Sequence, residues 1–442
     1  MLFGTQRIND KGHLEIGGCD TIDLAKQFGT PLYVMDEALV RQNCREYIHG
    51  FKTRYQNTEI AFAGKAFLNI AACRIMAQEG MCLDVASGGE LYTAMKANFP
   101  MERVYFHGSF KLEAELRMAI ERGVGRIVVD SLEELDLLNS VAQDMGTKAD
   151  ILLRVTPGID PHTHKRISTG QADTKFGLNI QNGTAMVGIK KAVALPNIAL
   201  RGIHCHVGSQ LLDFEAHIAA IRIMVELAKD IKDQTGLAVE EINTGGGLGI
   251  RYVESQQAPT IDHFAEIITS TFISALEEFG VSHNPRLVQE AGRSIAGTAG
   301  TTLYTVGPIK KVPIAENPGY RIYVSVDGGL SDNPRPTLYD AIYEVVAANK
   351  ANAPKSETVT VSGRHCETDT LIVDTRVPEL QTGDILAVQC TGAYNYAMAS
   401  NYNRFCKPAV VVVQNGSAEV IVERETYDDL VRHDIVTPRL NG

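Results

Sequence analysis

The feature that most constrains the fold is a regular alternation of β-rich and helical segments between about residues 58 and 290. Short β-rich runs alternate with longer stretches of helical periodicity, which is typical of repeated βα units around a parallel sheet. Eight runs are predicted as strands: Glu59–Ala63, Cys82–Ala86, Arg103–His107, Arg126–Asp130, Ile151–Val155, Arg201–His206, Val239–Asn243 and Leu287–Glu290. Eight parallel strands predict a TIM (β/α)8 barrel.

The pattern changes after Gly292, where β-rich runs are separated by Gly, Pro and Asn turns without long helices. This predicts a second, C-terminal domain built as a β-sandwich or β-barrel. The first 35 residues also read as turns and short strands. We therefore expect an α/β plus β protein, with the barrel at 36–290 and a β-rich domain formed by 1–35 and 291–442.

The composition favours a small-molecule partner. The 442 residues exceed one ordinary compact domain, and 44% hydrophobic with 21% charged residues are ordinary globular values, which excludes disordered and fibrous classes. The net charge of −11 is spread along the chain without a basic block. Nucleic-acid binding therefore has no electrostatic basis.

The distribution of apolar residues and cysteines predicts a cytoplasmic location. The chain starts without a basic stretch leading into an apolar run, and no later segment approaches the roughly 18 apolar residues of a membrane span. The eight cysteines contain no closely spaced pair of the kind found in zinc or redox motifs. We expect reduced thiols and no membrane partner.

Polar and glycine-rich clusters fall at the carboxyl ends of the predicted strands. In a TIM barrel, these ends form the active-site face. The clusters are Lys65, Asp84 to Glu90, His107, Arg154, His204 to Ser209, Gly245 to Gly247, and Glu290 to Arg293. Their common position predicts an active site at this mouth of the barrel.

Lys65 lies in the apolar segment AFAGKAF at the end of the first predicted strand. Desolvation lowers the pKa of an amine and makes it nucleophilic, as a lysine that carries a carbonyl cofactor requires. The alternative is a solvated lysine on a βα loop.

Gly245, Gly246 and Gly247 follow a strand, and their backbone amides could approach and cradle a phosphate. The segment lacks the complete GxGxxG spacing of a dinucleotide fold, so an ordinary tight turn is the alternative.

Two pairs of histidines have the spacing that places side chains on one face of a strand, His204 with His206 and His162 with His164. Neither pair has a clear third ligand, so no metal is predicted. A core or loop histidine, and stacking of His206 on an aromatic cofactor, both stay open.

Glu290 ends the eighth predicted strand, where a carboxylate could hold a pyridine nitrogen in its protonated form. Arg293 offers a planar donor fork for a phosphate or a carboxylate. The alternative is a structural ion pair between these two residues at a domain junction.

In the β-rich half, Cys366 lies beside Glu367 and could serve as a proton donor, although isolated cysteines are usually buried packing residues. Arg335, Tyr339 and Tyr394 could bind anionic groups, or could be ordinary loop and strand residues.

Several long segments, taken in order, resemble the sequence blocks of the fold-type III decarboxylases that depend on pyridoxal 5′-phosphate (PLP), which have an alanine racemase-like fold. The resemblance covers nearly the whole chain and is carried by LDVASGGELYTA, HCHVGSQ, NTGGGLGIRY, EAGRSIAGTAGTTLYTVG, VDGGLSDNPRPTLY, HCETD and CTGAYNYAMASNYNR. Two positions depart from the family pattern: EAGR replaces EPGR at Ala291, and Thr368 replaces serine after Cys366-Glu367. Neither change removes a reacting group.

The resemblance implies roles for most of the residues named above. Lys65 would carry PLP, His206 would stack on its ring and Glu290 would pair with its pyridine nitrogen. Further cofactor contacts would come from Asp84, Ser209, Gly245, Gly246, Gly247, Ala291, Gly292, Arg293 and Tyr394. The substrate would be held by Arg293, Arg335, Tyr339, Glu367 and Tyr394.

The same resemblance implies a homodimer with shared active sites, in which Cys366 reaches the site from the partner subunit and returns a proton after CO2 leaves. The β-rich domain would contribute to substrate binding and dimerisation. The implied reaction converts meso-2,6-diaminopimelate to L-lysine and CO2, the last step of lysine biosynthesis, and Arg335 favours a substrate with a distal carboxylate.

Three other functions stay open at this point. An ornithine- or arginine-type decarboxylase would use the same fold. A PLP-carrying binding protein would need Lys65 but not Cys366 or the second domain. An enzyme that depends on a nicotinamide cofactor would use the glycine loop to bind that cofactor. Glu290 favours decarboxylation, because racemases of this fold typically place an arginine at the ring nitrogen.

Overall fold

The computed structural model describes residues 1–159, 174–314 and 319–440, and the chain divides into two compact units. The barrel unit comprises Val40–Arg251 and Gln257–Ala296. The β-rich unit comprises Met1–Leu39, Tyr252–Gln256 and Gly297–Gly442. A short segment of the chain between the two parts of the barrel unit thus belongs to the β-rich unit.

In its described residues, the barrel unit contains eight parallel strands that close into a barrel. They are β1 (Thr58–Ala63), β2 (Cys82–Val85), β3 (Val104–Phe106), β4 (Arg126–Val129), β5 (Ala149–Thr156), β6 (Ile198–His204), β7 (Glu241–Asn243) and β8 (Arg286–Ala291). Neighbouring strands follow chain order, β8 pairs with β1, and a short strand at Leu178–Asn179 pairs in parallel with the end of β5. The predicted TIM barrel is confirmed.

A helix follows each barrel strand. These helices are α1 (Ile70–Gln78), α2 (Gly88–Lys96), α3 (Glu113–Glu121), α4 (Leu132–Asp144), α5 (Thr184–Ala194), α6 (Glu215–Thr235), α7 (Ile261–Glu278) and α8 (Arg293–Ala296), and a further helix, Glu37–Lys52, precedes β1. Polar caps begin several of them: the side chains of Asn69, Ser87 and Ser131 accept backbone N–H groups of α1, α2 and α4. Because the eight strands are parallel, their carboxyl ends meet at one mouth of the barrel.

The barrel interior is layered. One buried apolar cluster is formed by Ala61, Cys82, Tyr105, Val128, Leu152 and Val288. Side chains two residues apart on a strand share a face, and the positions two residues further along are Ala63, Asp84, His107, Asp130, Arg154 and Glu290, all buried. The sequence thus places a layer of mostly charged and polar groups directly above an apolar one, at the mouth of the barrel.

The β-rich unit contains a small antiparallel sheet and a larger mixed one. The strands are Arg7–Ile8, Leu14–Ile16, Cys19–Asp20, Leu32–Asp36, Gly300–Pro313, Tyr320–Val326, Val345–Ala347, Glu357–Ser362, Thr370–Val377, Ile385–Val388, Ala409–Gln414 and Ser417–Val422. Two short helices, Thr21–Phe28 and Arg335–Tyr339, lie between strands, and a third, Tyr427–Val431, follows the last strand. The second, β-rich domain expected from the sequence is present.

The long strand Gly300–Pro313 organises the larger sheet, although the sequence pattern does not single it out. It pairs with Leu32–Asp36, Tyr320–Val326 and Ile385–Val388. The N-terminal strand Leu32–Asp36 also pairs in parallel with Ala409–Gln414. Both ends of the chain therefore contribute to one sheet, whose apolar residues form a buried core.

All eight cysteines lie in the described residues and carry free thiols, and of these Cys366 is exposed. Within the same described part of the chain, no helix has both the length and the apolar character needed to cross a membrane.

Candidate active site

Lys65 lies in a 3-10 turn, Gly64–Ala66, that directly follows β1. The flanking residues Phe62, Ala63 and Ala66 are buried, but Lys65 itself is exposed. The expectation that its apolar neighbours desolvate the amine is therefore wrong, because those neighbours are buried whereas Lys65 is exposed. Asp84, Glu90 and His206 all interact electrostatically with Lys65. Lys65 is therefore exposed and interacts with charged and polar groups.

Glycines allow this turn to lie close to the neighbouring strand ends. A Cβ atom on Gly64 would come within 2.8 Å of the Asp84 carbonyl oxygen, at the end of β2. A Cβ on Gly292 would lie 3.1 Å from the Cβ of Ala63. The turn that carries Lys65 is thus held between the ends of β2 and β8.

Glu290 is the centre of the buried polar layer. Asn243 Nδ2 donates a hydrogen bond to Glu290 Oε1 at 2.9 Å. The Nε2 atoms of His107 and His204 lie 3.1 and 3.4 Å from the same oxygen, but neither has the geometry of a hydrogen bond. Three nitrogens therefore face one carboxylate oxygen.

The surroundings of two of the carboxylates in this layer, Glu290 and Asp84, shift their pKa values in opposite directions. Burial alone would raise the pKa of Glu290, but His107 and His204 outweigh burial and hold that pKa well below its usual value. Burial raises the pKa of Asp84 to about 6, and burial lowers the pKa of His204 to about 4. At neutral pH, Glu290 is thus an ionised carboxylate in a buried environment, which can stabilise a positive charge placed beside it.

The arrangement of histidines differs from the pairs that the sequence suggests. Strand β6 ends at His204, so His206 lies beyond the strand, while His107 joins His204 beside Glu290. The ligand atoms of His107, His204 and Glu290 lie within 4.8 Å of one another, close enough to hold a metal ion. Residues 162 and 164, the second predicted pair, lie outside the described residues.

His206 is held in one orientation by the glycine loop. Its Nδ1 atom accepts a hydrogen bond from Gly246 N at 3.2 Å, so the neutral ring carries its proton on Nε2. Burial, followed by the charge of Lys65, lowers the pKa of His206 well below its ordinary value. A neutral imidazole ring fixed at the mouth of the barrel suits stacking on an aromatic ring.

The loop Gly245–Gly247 requires glycine for two reasons. Gly245 and Gly247 have φ angles of 70° and 134°, and a Cβ on Gly246 would come within 2.0 Å of the Glu290 carbonyl oxygen. Gly245 N donates to Asn243 Oδ1 at 2.9 Å, and Gly246 N is used by His206. Two of the three amides expected at a phosphate therefore fix the loop itself, which leaves Gly247 as the candidate.

Ser209 and Arg293, both expected at the cofactor, are brought together. Arg293 is buried at the start of α8, and its Nη2 and Nε atoms donate to Ser209 Oγ at 3.0 and 3.3 Å. Ala291 occupies the last position of β8, opposite Phe62 of β1. A hydroxyl and a guanidinium side by side offer donors that could hold an anion.

These groups fit PLP. Glu290 supplies an ionised carboxylate for a pyridinium nitrogen, Lys65 an amine, and Ser209 with Arg293 donors for a phosphate. In the described residues, both ring nitrogens of His204 are buried without a hydrogen-bond partner, as expected for a layer that is completed by a polar ligand.

The substrate residues expected outside the barrel lie in the β-rich unit. Arg335 is buried at the start of the helix Arg335–Tyr339, and its Nη1 atom donates to the hydroxyls of Tyr252 and Tyr343. Tyr339 is half-buried, and so is Tyr394, which adopts a φ angle of 63°. A non-glycine residue in this conformation is uncommon and often marks a functional position.

Cys366 and Glu367 lie on an exposed loop of the same unit. Cys366 N donates to Asn403 Oδ1 at 3.0 Å, and Glu367 accepts a hydrogen bond from the Tyr402 hydroxyl. The adjacent His365 is buried, with Nδ1 2.6 Å from Asp369 Oδ2. The thiol is therefore accessible on a loop that a buried pair anchors, and it is not buried packing.

Sequence reasoning missed two kinds of residue in these sites. Asn243 was recognised only as the end of a strand, and Tyr252 and Tyr343 carried no distinctive spacing. Asn243 could have been found from its position directly before the glycine loop. The contacts of the two tyrosines depend on segments distant in sequence.

The barrel region matches a known protein family. Residues 40–297 match the model of the pyridoxal-dependent decarboxylases, pyridoxal binding domain. The matched region includes each residue of the barrel site described above.

Full-length similarity extends to proteins of one activity. The chain is 45% identical over 436 residues to a diaminopimelate decarboxylase of Bacillus subtilis, covering 98% of each protein. It is similar to the crystal structure of diaminopimelate decarboxylase from M. jannaschii in co-complex with L-lysine, with a TM-score of 0.91, 37% identity and complete coverage of both chains. A lysine/ornithine decarboxylase from Vibrio vulnificus shares 23% identity at a TM-score of 0.74, which shows the fold alone.

Proposed function

Because the chain belongs to the diaminopimelate decarboxylase family of pyridoxal-dependent enzymes, we propose that the groups gathered at the barrel mouth decarboxylate meso-2,6-diaminopimelate and release L-lysine and CO2. The enzyme is a carboxy-lyase, and its cofactor is PLP. The observation that carries the assignment of the site is the buried Glu290 carboxylate, whose pKa is held well below its usual value beside the mouth that bears Lys65.

Each barrel residue has a role that follows from its contacts. Lys65 holds the cofactor through its amine, and His206, fixed by Gly246, packs against the cofactor ring. Ser209, Gly247 and Arg293 bind the phosphate. Glu290 keeps the pyridine nitrogen protonated, since an ionised buried carboxylate stabilises the cation next to it.

PLP, when bound, supplies an electron sink for the pair of electrons released as the carboxylate leaves. The strength of this electron sink depends on protonation of the pyridine nitrogen, which the surrounding side chains control. Asn243 donates a hydrogen bond to Glu290 and the two histidines lower the Glu290 pKa, whereas burial raises the pKa of Asp84 to about 6, so that Asp84 is about half protonated near pH 6. The two carboxylates can therefore differ in protonation state within one buried layer.

Substrate selection is assigned to the β-rich unit. Arg335 binds the carboxylate at the end of the substrate that does not react, while Tyr339, Glu367, Tyr394 and, from the barrel, Arg293 hold its other polar groups. Ornithine has no second carboxylate, so the ornithine-type alternative is disfavoured by Arg335 as well as by the family similarity.

Proton return and assembly form the next part of the proposal. Cys366 donates the proton that replaces CO2, and it acts in the site of a partner subunit, so the working enzyme is a homodimer with shared sites. The exposure of Cys366 supports a role outside its own unit's core. We place the enzyme in the cytoplasm, where its free thiols would persist.

Product analysis with a labelled site lysine tests the proposal. Purified holoenzyme should convert meso-diaminopimelate to L-lysine and CO2, and borohydride reduction should attach the pyridoxyl group to the peptide that contains Lys65. Ornithine serves as the matched substrate without a distal carboxylate. Faster turnover of ornithine than of meso-diaminopimelate, or a pyridoxyl label on a lysine other than Lys65, would contradict the proposal.

A further inference from the structure

Arg335 is the buried guanidinium of the β-rich unit, and its surroundings fix which edge it presents. Only 6% of its surface is exposed. Its Nη1 atom donates to Tyr343 Oη at 2.6 Å and to Tyr252 Oη at 2.9 Å. Because Nη1 carries two N–H groups, both are used by the tyrosines.

Tyr252 and Tyr343 together hold the Arg335 guanidinium, and this pair is called the clamp below. Their rings pack edge to face, with centroids 5.4 Å apart and an interplanar angle of 87°. The Arg335 Cζ atom lies 5.0 Å from the centroid of the Tyr252 ring and 5.7 Å from that of Tyr343. Hydrogen bonds to both hydroxyls and contact with both rings together limit rotation of the guanidinium.

The clamp continues to the segment that carries Tyr394. The hydroxyl of Tyr343, which accepts from Arg335, is placed to donate to Asn395 Oδ1 at 3.4 Å. Asn395 is completely buried and directly follows Tyr394. The Tyr343 hydroxyl thus connects Arg335 to the backbone segment of a second proposed substrate residue.

We propose that Tyr252 and Tyr343 are positioning residues that hold Arg335 so that its Nε–Nη2 edge takes the substrate's distal carboxylate side-on. A carboxylate matches two parallel N–H donors, and with Nη1 occupied, Nε and Nη2 supply that pair. The inference rests on the proposed role of Arg335 and adds the residues that set its specificity. Tyr252 belongs to the β-rich unit although it directly follows the glycine-loop segment in sequence.

Two inhibitors that differ only in the carboxylate distinguish the positioning role from a purely structural one. L-Lysine retains the carboxylate assigned to Arg335, whereas 1,5-diaminopentane lacks it. In Tyr343→Phe and in Tyr252→Phe holoenzyme, KM for meso-diaminopimelate and the inhibition constant of L-lysine should each rise about tenfold, the effect of one hydrogen bond to a charged group. kcat should change less than about twofold, and inhibition by 1,5-diaminopentane should stay unchanged.

Tyr33→Phe is the matched control. The Tyr33 hydroxyl is also buried in the β-rich unit, but it donates to the Asp332 carbonyl oxygen. This variant removes a buried hydrogen bond three residues before Arg335 but keeps both hydroxyl groups to which Arg335 donates, so it should leave the ratio of the two inhibition constants at the wild-type value. An equal rise of both constants in the Tyr252 and Tyr343 variants, or the same effect in Tyr33→Phe, would overturn the positioning role.

Arg335→Ala distinguishes failure of the inference from failure of the proposed function. If Arg335 binds the distal carboxylate, this variant should no longer be inhibited more tightly by L-lysine than by 1,5-diaminopentane. Loss of preference in Arg335→Ala with wild-type behaviour in both tyrosine variants refutes only the clamp. A preserved preference in Arg335→Ala refutes the substrate role of Arg335 itself, and the clamp with it.

Discussion

The side chain of Asn243 links Glu290 to the glycine loop. Its Nδ2 atom donates to Glu290 Oε1 and its Oδ1 atom accepts from Gly245 N, both at 2.9 Å. The two contacts fix the orientation of the amide, because only one assignment of its oxygen and nitrogen satisfies both. One buried side chain therefore determines the position of both the carboxylate and the loop.

Asn243→Ala should reduce kcat and the affinity for PLP by about tenfold each, since it removes one hydrogen bond to a charged group and one that shapes the loop. Cofactor titration by absorbance and steady-state kinetics measure the two effects. Asn197→Ala, at the amino end of β6, is the control and should change neither. Unchanged PLP affinity in Asn243→Ala would show that the loop does not depend on this amide.

Glu290→Gln should keep PLP bound but lower kcat by at least about 100-fold, because a neutral amide stabilises the protonated pyridine ring less than a carboxylate does. PLP content by absorbance, together with CO2 release, separates cofactor loss from loss of the sink. Turnover at the wild-type rate in a fully loaded variant would rule out this role for Glu290.

Asp332 should make the stability of the β-rich unit depend on pH. Burial raises its pKa from 3.8 to about 7, although the Tyr304 hydroxyl and Gly329 N–H partly oppose this. A carboxyl group whose pKa is raised on folding contributes stability at low pH that is lost as pH rises from about 4 through 7. The loss amounts to about 4 kcal/mol above pH 7.

Asp332→Asn should therefore raise the thermal midpoint at pH 8 relative to wild type, and this gain should shrink or reverse at pH 4. Asp384→Asn provides the opposite sign: burial raises the pKa of Asp384, but Lys350 and its other hydrogen-bond partners lower it overall, so this variant should lose stability at pH 8. Melting curves at both pH values test the pair. Parallel pH dependence of wild type and Asp332→Asn would contradict the argument.

The proposed homodimer with shared sites predicts complementation between two inactive variants. Lys65→Ala and Cys366→Ala should each be nearly inactive, because both sites of each dimer carry the defect. After subunit exchange, a heterodimer has one site that lacks both groups and one intact site, so random pairing should restore about a quarter of wild-type activity.

Activity of the mixture with meso-diaminopimelate is the measurement, and light scattering together with exchange of a tagged subunit is the control. Demonstrated exchange without any recovery would exclude Cys366 from the partner's site.

The sequence by itself determined the strands of the barrel and predicted which residues lie at its mouth. The alternation of β-rich and helical segments locates all eight strands, and the rule that parallel strand ends share one mouth groups Lys65, Glu290 and the glycine loop. These are local signals, since strand periodicity and glycine requirements are set by neighbouring residues.

Tertiary structure alone decided which polar groups touch and which are exposed. The apolar residues around Lys65 suggest a buried amine, yet Lys65 is exposed in the folded chain. His107 joins His204 beside Glu290, and Tyr252 joins Tyr343 beside Arg335, through strands and loops that are far apart in the chain. Periodicity reports the face of an element on which a residue lies, whereas contact partners and pKa values depend on distances that only the folded chain fixes.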